Sequence, residues 1–191
     1  MNITVKQSSL DSLKAAIEGT TRKIKSELRV AINATAAKSK SILNKEIRSE
    51  LAVTAKVVSS TIRTKRKSEG NDLSATVEVK KTARISLKEF GARQGKKGTS
   101  YKISKTKGRK TISDAFQGPK PGLMKASWKG NVFKRAGKAR LPIVKLYGPS
   151  PFGVLTKGKK LEPSLKQTEA ELVKQVQRRI RLITLKKTGA I

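Results

Sequence analysis

The hydrophobic periodicity of the chain changes twice, and these changes limit the folds that it can adopt. From Ser8 to about Ser49 apolar residues recur three, four or seven positions apart, which predicts a helix with one apolar stripe. After Asp72 the period becomes two, which is typical of half-buried strands. From Ser164 to Leu185 the helical period returns. Strands flanked by helices predict an α+β fold rather than a parallel α/β sheet.

The finer pattern predicts one domain over residues 1–191, with a helical part at 1–67, an antiparallel β part with basic loops at 73–150 and a C-terminal helix at 164–187. Gly19 interrupts the first helix, and Ser164 is the expected N-cap of the last one. Pro142 favours an edge position or a bulge for the second arm of its hairpin. The remaining expected elements are a helix at Thr54–Arg66, strands at 75–80, 84–90, 101–103 and 111–116, loops at 91–99, 105–110 and 118–122, and a hairpin at Asn131–Tyr147.

The net charge of +32, from 45 lysines and arginines against 13 acids, opposes a compact state by self-repulsion. A charge of this size indicates that the protein binds a polyanion or an acidic protein surface, which neutralises it. The chain has no cysteine and no histidine, so thiolate metal sites, disulfides and histidine-activated nucleophiles are excluded. We therefore expect a structural or binding protein rather than an enzyme, with no cofactor and no metal.

The acidic residues give no catalytic pair. Between Phe90 and Lys160 the only acid is Asp114, which we interpret as a turn or ion-pair residue. Most other acids lie on helical stretches beside basic residues. Trp128 is the only tryptophan, and it favours a core or interface position over base stacking, which needs several aromatic residues in a row.

No apolar run approaches the length of a membrane span, and Met1–Leu10 is polar. We therefore expect a soluble protein with no membrane partner.

Basic residues and glycines between Gly91 and Thr99 suit phosphate binding through counterion release, although the spacing is not that of a P-loop.

A second interpretation comes from residues 45–63, which read like a helix-turn-helix with a recognition helix at Val57–Ile62 and a basic tail. This pattern indicates a sequence-specific DNA-binding protein. The turn has Ala52 where glycine is frequent, and the β-rich remainder would have no role. A ribosomal or nucleoid-type binder is a third possibility, which rests on charge alone.

A resemblance to a known family lies near the C-terminal end of the predicted β part. Residues 135–150, RAGKARLPIVKLYGPS, resemble the RxGKxRLPIxxLxGPS stretch of the phage minor tail protein Z family, the tail-completion proteins of long-tailed phages. Residues 112–116 and 83–94 resemble preceding segments of the family, whereas Pro151–Val154 depart from it. The matching positions are Arg135, Gly137, Lys138, Arg140, Leu141, Pro142, Ile143, Leu146, Gly148, Pro149 and Ser150.

The resemblance implies a virion protein at the head-proximal end of a tail, which completes the tail for head joining and is made in the host cytoplasm. It implies a ring-shaped homo-oligomer, with sixfold symmetry as a guess, and other tail or neck proteins as partners. A channel that carries the genome end would gain from mobile basic loops that bind double-stranded DNA without sequence readout. The residues expected to face DNA or an acidic partner are Arg93, Lys96, Lys97, Lys102, Lys105, Lys107, Arg109 and Lys110.

Overall fold

Two structural units divide the chain in the computed structural model, which describes residues 2–4, 22–70, 72–118, 128 and 130–187. The first unit comprises Met1–Asn44, Ile62–Lys80 and Lys159–Ile191. The second unit comprises Lys45–Thr61 and Lys81–Gly158. Within the described residues, no helix is long and apolar enough to cross a membrane.

Two long helices form most of the first unit. Helix α1 spans Arg22–Glu50, a stretch with no glycine or proline, and belongs to this unit as far as Asn44. The C-terminal helix, here α4, spans Leu161–Lys187. Where the two helices meet, Thr168 Oγ1 donates to Ser39 Oγ at 3.3 Å. The residues that α1 buries in this unit follow the helical period: Leu28, Ala31, Ile32, Thr35, Ala36, Ser39 and Leu43.

A small antiparallel sheet completes the first unit. It contains β1 (Asn2–Thr4), β2 (Ile62–Arg66) and β3 (Thr76–Val79), in the order β1–β3–β2. Val77 and Val79 are buried, which confirms the alternation that predicted this strand. Beyond β2, the side-chain amide of Asn33 donates to the carbonyl of Ser68 at 3.1 Å, and the Ser68 amide donates back to Asn33 Oδ1 at 2.9 Å.

The second unit contains two three-stranded antiparallel sheets. One has the order β4–β5–β6, with β4 at Arg93–Gly95, β5 at Gly98–Tyr101 and β6 at Lys110–Ile112. The other has the order β7–β8–β9, with β7 at Ala115–Gln117, β8 at Val132–Arg135 and β9 at Ile143–Lys145. The unit also contains α2 (Ala55–Ser59), a 3-10 turn (Leu87–Phe90) and α3 (Pro151–Lys157).

These elements confirm the α+β class, with a long N-terminal helix, antiparallel sheets with basic loops and a C-terminal helix. The expected hairpin at 131–147 is formed by β8 and β9, and β9 lies at an edge of its sheet, as Pro142 indicates. The beginning of the first predicted helix, with Gly19, and most of the loop at 118–122 lie outside the described residues.

The helix predicted at Thr54–Arg66 is wrong beyond Ser59. Helix α2 has only five residues, because the Thr61 amide and hydroxyl both donate to the Val58 carbonyl and close it. Ile62–Arg66 is instead strand β2, since β3 supplies it with an antiparallel partner. Tertiary pairing overrides helix propensity here. The predicted helical part at 1–67 therefore also contains β1 and β2.

Other boundaries also differ from the prediction. The strand expected at 84–90 is largely a 3-10 turn, and the loop expected at 91–99 contains β4 and the start of β5. Ile103 lies outside β5, and the strand expected at 111–116 is two strands separated by the Ser113–Asp114 turn. Ser164 is not an N-cap, because α4 begins at Leu161 and the buried Ser164 hydroxyl donates to the Lys160 carbonyl. Helix α3 was not predicted.

Candidate functional site

The eight cations expected to meet a polyanion lie on one small sheet, but at its two ends. Lys96 and Lys97 form the turn between β4 and β5, and six others lie towards the opposite end. Because β5 has four residues, these ends are about 10 Å apart along the strand. The six residues at the far end are Arg93, Lys102, Lys105, Lys107, Arg109 and Lys110, of which only Lys102 is partly buried.

Arg109 has a structural role within this set. Its Nη2 donates to the Gly91 carbonyl at 2.6 Å, to the Ser100 carbonyl at 3.0 Å and to Ser100 Oγ at 3.2 Å. These bonds hold the β5–β6 connection against the segment that leads into β4. A guanidinium with three internal acceptors has less hydrogen-bonding capacity for an external anion than a lysine in the same connection.

The turn between β4 and β5 faces the hairpin of the family motif across an open cleft of about 740 Å³, which we call the hairpin cleft. Among the described residues, four cations and one carboxylate line it, and the sequence predicts only Lys96 of these cations at an anion site. The lining residues are Gln94, Lys96, Gly98, Ser113, Asp114, Ala115, Phe116, Lys134, Arg135, Ala136, Gly137 and Lys138.

The carboxylate in the hairpin cleft interacts weakly with its neighbours. Asp114 Oδ2 lies 3.5 Å from Lys134 Nζ, and the two side chains are 71% and 46% exposed. Exposed pairs of this kind contribute about 0–1 kcal/mol at most. The expected turn position of Asp114 is confirmed, since Ser113 and Asp114 connect β6 to β7.

An aromatic cluster lies against the hairpin cleft. The rings of Phe116 and Phe133 stack with centroids 6.1 Å apart, and Trp128 lies 5.2 Å from Phe133. The guanidinium of Arg135 sits 5.4 Å from the centroid of the Phe116 ring. Trp128 therefore contributes to packing, as expected from its isolation in the sequence.

The family motif divides into an exposed half and an anchoring half. Residues 135–142 are exposed, with Leu141 at 67% and a cis peptide bond between Leu141 and Pro142. Ile143 begins edge strand β9. The exposed half thus presents its cations Arg135, Lys138 and Arg140 to solvent.

The anchoring half begins at Leu146. Its amide donates to the Val132 carbonyl at 2.8 Å, and its carbonyl accepts from the Leu87 amide. The Gly148 amide donates to the Ile85 carbonyl at 2.8 Å, and a Cβ on Gly148 would lie 2.2 Å from the Phe90 ring. Pro149 and Ser150 then lead into α3, with Ser150 at its N-cap position. This half holds the hairpin on the unit.

A second cleft, of about 620 Å³, lies at the other end of the small sheet. Leu51, Ile103 and Val154 contribute apolar surface to it, and Lys107 and Lys110 also line it. Within the described ranges, no three acidic residues come together in a group that could hold a metal ion.

The helix-turn-helix interpretation is weakened by the structure. The predicted recognition helix at Val57–Ile62 is not formed, because α2 ends at Ser59 and Ile62 begins strand β2. A five-residue helix offers little more than one turn to a DNA groove. The segment has a packing role instead, since Val58 and Ile62 are both buried.

Comparison with known proteins gives one family. The model described as prophage minor tail protein Z (GPZ) matches residues 10–186, which is nearly the whole chain. No curated protein and no solved structure matches the chain.

Proposed function

The chain belongs to the prophage minor tail protein Z family and is therefore a structural protein of a phage tail, carried in the virion, and on that basis we propose that it completes the head-proximal end of the tail for head joining. The observation that carries the proposal is the family match over residues 10–186. The partners are other tail and neck proteins, and the protein is made in the host cytoplasm before assembly.

The proposal includes a non-specific contact with the end of the double-stranded genome. A net charge of +32 and mostly exposed cations around the β4–β5–β6 sheet support this contact. Binding of this type releases counterions from DNA, requires no fixed base contacts and weakens steeply with salt.

The proposal also includes a ring-shaped homo-oligomer, for which we take six subunits as the working number. Leu141, Val144 and Tyr147 are 67%, 52% and 47% exposed along and beside edge strand β9. Apolar side chains on an edge strand suit a contact between subunits. A closed ring needs heterologous contacts, in which two different surfaces of the same chain meet.

The test is deletion of the gene from the phage that carries it. We expect filled heads and full-length tails that remain separate, and purified protein added to the extract should restore infectious particles. Labelled protein should be seen by electron microscopy at the head-proximal tail end. Joined particles without the protein, or label at the distal end, would contradict the proposal.

A further inference from the structure

We propose that the hairpin cleft is a binding site for the phosphodiester backbone of a nucleic acid, and that the exposed half of the family motif supplies two of its four cations, Arg135 and Lys138. This inference rests on the proposed contact with DNA and assigns it to a site. The sequence suggested a different set, of which only Lys96 lies in the cleft.

The cleft has two cationic walls that come from distant parts of the sequence. Lys96 stands on the β4–β5 turn, whereas Lys134, Arg135 and Lys138 stand on β8 and the hairpin after it. These four cations face one carboxylate, that of Asp114, which leaves a net charge of +3 among the lining residues. Such a concentration of one sign in a concave surface attracts polyanions.

The backbone around the cleft is set by close packing. Gly98 has a φ of +113°, and a Cβ there would lie 2.2 Å from the Ile112 carbonyl oxygen and 2.7 Å from that of Ser113. Only glycine allows this approach. The β4–β5 turn, which carries Lys96, therefore packs closely against the Ser113–Asp114 turn.

Among the described cations of the cleft, Arg135 has the side chain best positioned to bind a phosphate group. Its guanidinium lies 5.4 Å from the centroid of the Phe116 ring, and Phe116 is itself packed against Phe133 and Trp128. A guanidinium held over a fixed ring loses less conformational freedom on binding, and its planar fork matches phosphate oxygens. Lys96, Lys134 and Lys138 add point charges around it.

The cations of the cleft suit phosphates, which recur in every nucleic-acid sequence, and the amide side chain that lines it is already bonded within the protein. Gln94, the only amide side chain among the described lining residues, already accepts from Thr99 Oγ1 and the Gln117 amide through Oε1 and donates to the Gly95 carbonyl through Nε2. Base readout in DNA depends largely on side-chain donors and acceptors that reach base edges. The cleft therefore fits the repeating charge of a nucleic-acid backbone of any sequence.

The experiment measures binding of a random-sequence duplex to the full-length protein by fluorescence anisotropy at several salt concentrations. A cleft variant carries Lys96→Gln, Arg135→Gln and Lys138→Gln. A matched control carries Lys105→Gln, Lys107→Gln and Lys110→Gln, which removes the same charge from the other end of the sheet. We expect the cleft variant to lower the slope of log K against log salt by about 0.9 for each phosphate that the protein no longer neutralises, and the control to change it much less.

A variant of opposite sign strengthens the test. Asp114→Asn removes the only carboxylate among the described residues that line the cleft, so we expect tighter duplex binding at low salt. A control variant that flattens the slope as much as the cleft variant, or Asp114→Asn with unchanged or weaker binding, would overturn the assignment. Preferential binding of polyglutamate over duplex through the same residues would also overturn it, in favour of an acidic protein partner.

The outcomes separate this inference from the proposed function. If the natural protein binds duplex but the cleft variant binds equally well, the cleft assignment fails and the genome contact stands. If the natural protein does not bind duplex at all, both the assignment and the genome contact fail. The head-joining assay tests tail completion independently of either result.

Discussion

Replacement of Gly148 by alanine tests the claim that half of the family motif is an anchor. The new Cβ would lie 2.2 Å from Cε2, 2.7 Å from Cζ and 2.9 Å from Cδ2 of Phe90. Carbon atoms pack at about 3.5–4.0 Å, so the ring or the backbone has to move by more than about 1 Å. Phe90 is 1% exposed, which leaves little space for this movement.

The expected cost follows from this overlap. Overpacking of a close-packed core destabilises by about 1–3 kcal/mol. For a domain of this size, each kcal/mol lowers Tm by about 2–4 °C, so we expect a fall of roughly 2–12 °C. Urea unfolding followed by tryptophan fluorescence reports on the second unit directly, because its Trp128 is the only tryptophan of the chain.

Gly137→Ala is the matched control, because Gly137 belongs to the same motif and a Cβ there meets nothing within 4 Å. We expect its stability to stay within about 0.5 kcal/mol of the natural protein. A Phe90→Leu change should reduce the cost of Gly148→Ala, since it shortens the clashing side chain. Equal stabilities of the two alanine variants, or full additivity with Phe90→Leu, would refute the reasoning.

Three further predictions concern other contacts. Asn33→Ala should lower the free energy of unfolding by about 1–3 kcal/mol in urea titrations, because it leaves both backbone groups of the buried Ser68 without their partner. Arg63 Nε donates to Glu78 Oε2 at 3.0 Å, and this bond, with the nearby positive charge, holds the pKa of Glu78 below its ordinary value. The carboxylate should therefore stabilise the fold at pH values above the pKa it has in the unfolded chain, and this stabilisation should be lost as the pH falls through its folded pKa. In Glu78→Gln we expect the free energy of unfolding to decrease less at low pH than in the natural protein. Arg109→Ala should speed hydrogen exchange in residues 102–109, since their connection loses three hydrogen bonds.

Each of these three has a clear contrary result. Asn33→Ala that unfolds at the natural urea midpoint would show that water replaces both bonds. If the free energy of unfolding falls equally at low pH in Glu78→Gln and in the natural protein, other carboxylates cause this fall. Unchanged exchange in Arg109→Ala, with Lys107→Ala as the control for charge, would mean that the connection is held by other interactions.

The division of the motif has a consequence for how its residues should be compared among proteins of the family. Gly148 and Leu146 are explained by packing against Phe90 and by backbone bonds to β8 and the 3-10 turn region. Arg135 and Lys138 lie on the exposed hairpin, where Arg135 contacts the Phe116 ring and Lys138 has no comparable packing contact among the described residues. Loss of charge at these two positions should therefore affect anion binding while the melting temperature stays close to that of the natural protein.

The amino-acid sequence alone specifies the long elements and the chemistry that is absent. The helical stripes predict α1 and α4, and the alternation over residues 75–80 predicts β3, because a sustained period of apolar residues reflects one buried face. The lack of cysteine and histidine excludes thiolate and imidazole metal ligands and histidine-activated nucleophiles. Residues 135–150 indicated the family that the match over 10–186 shows.

Tertiary packing decides where short elements begin and which distant residues meet. Ile62–Arg66 is a strand because β3 lies beside it, and the local sequence does not specify that partner. Gly148 needs to be glycine because Phe90 occupies the space of a side chain. Lys96 and Arg135 border one cleft because the β4–β5 turn and the hairpin of the family motif, which are distant in sequence, line the same concave surface. Such proximity depends on the shape of the whole unit, and periodicity records only which face of each element is buried.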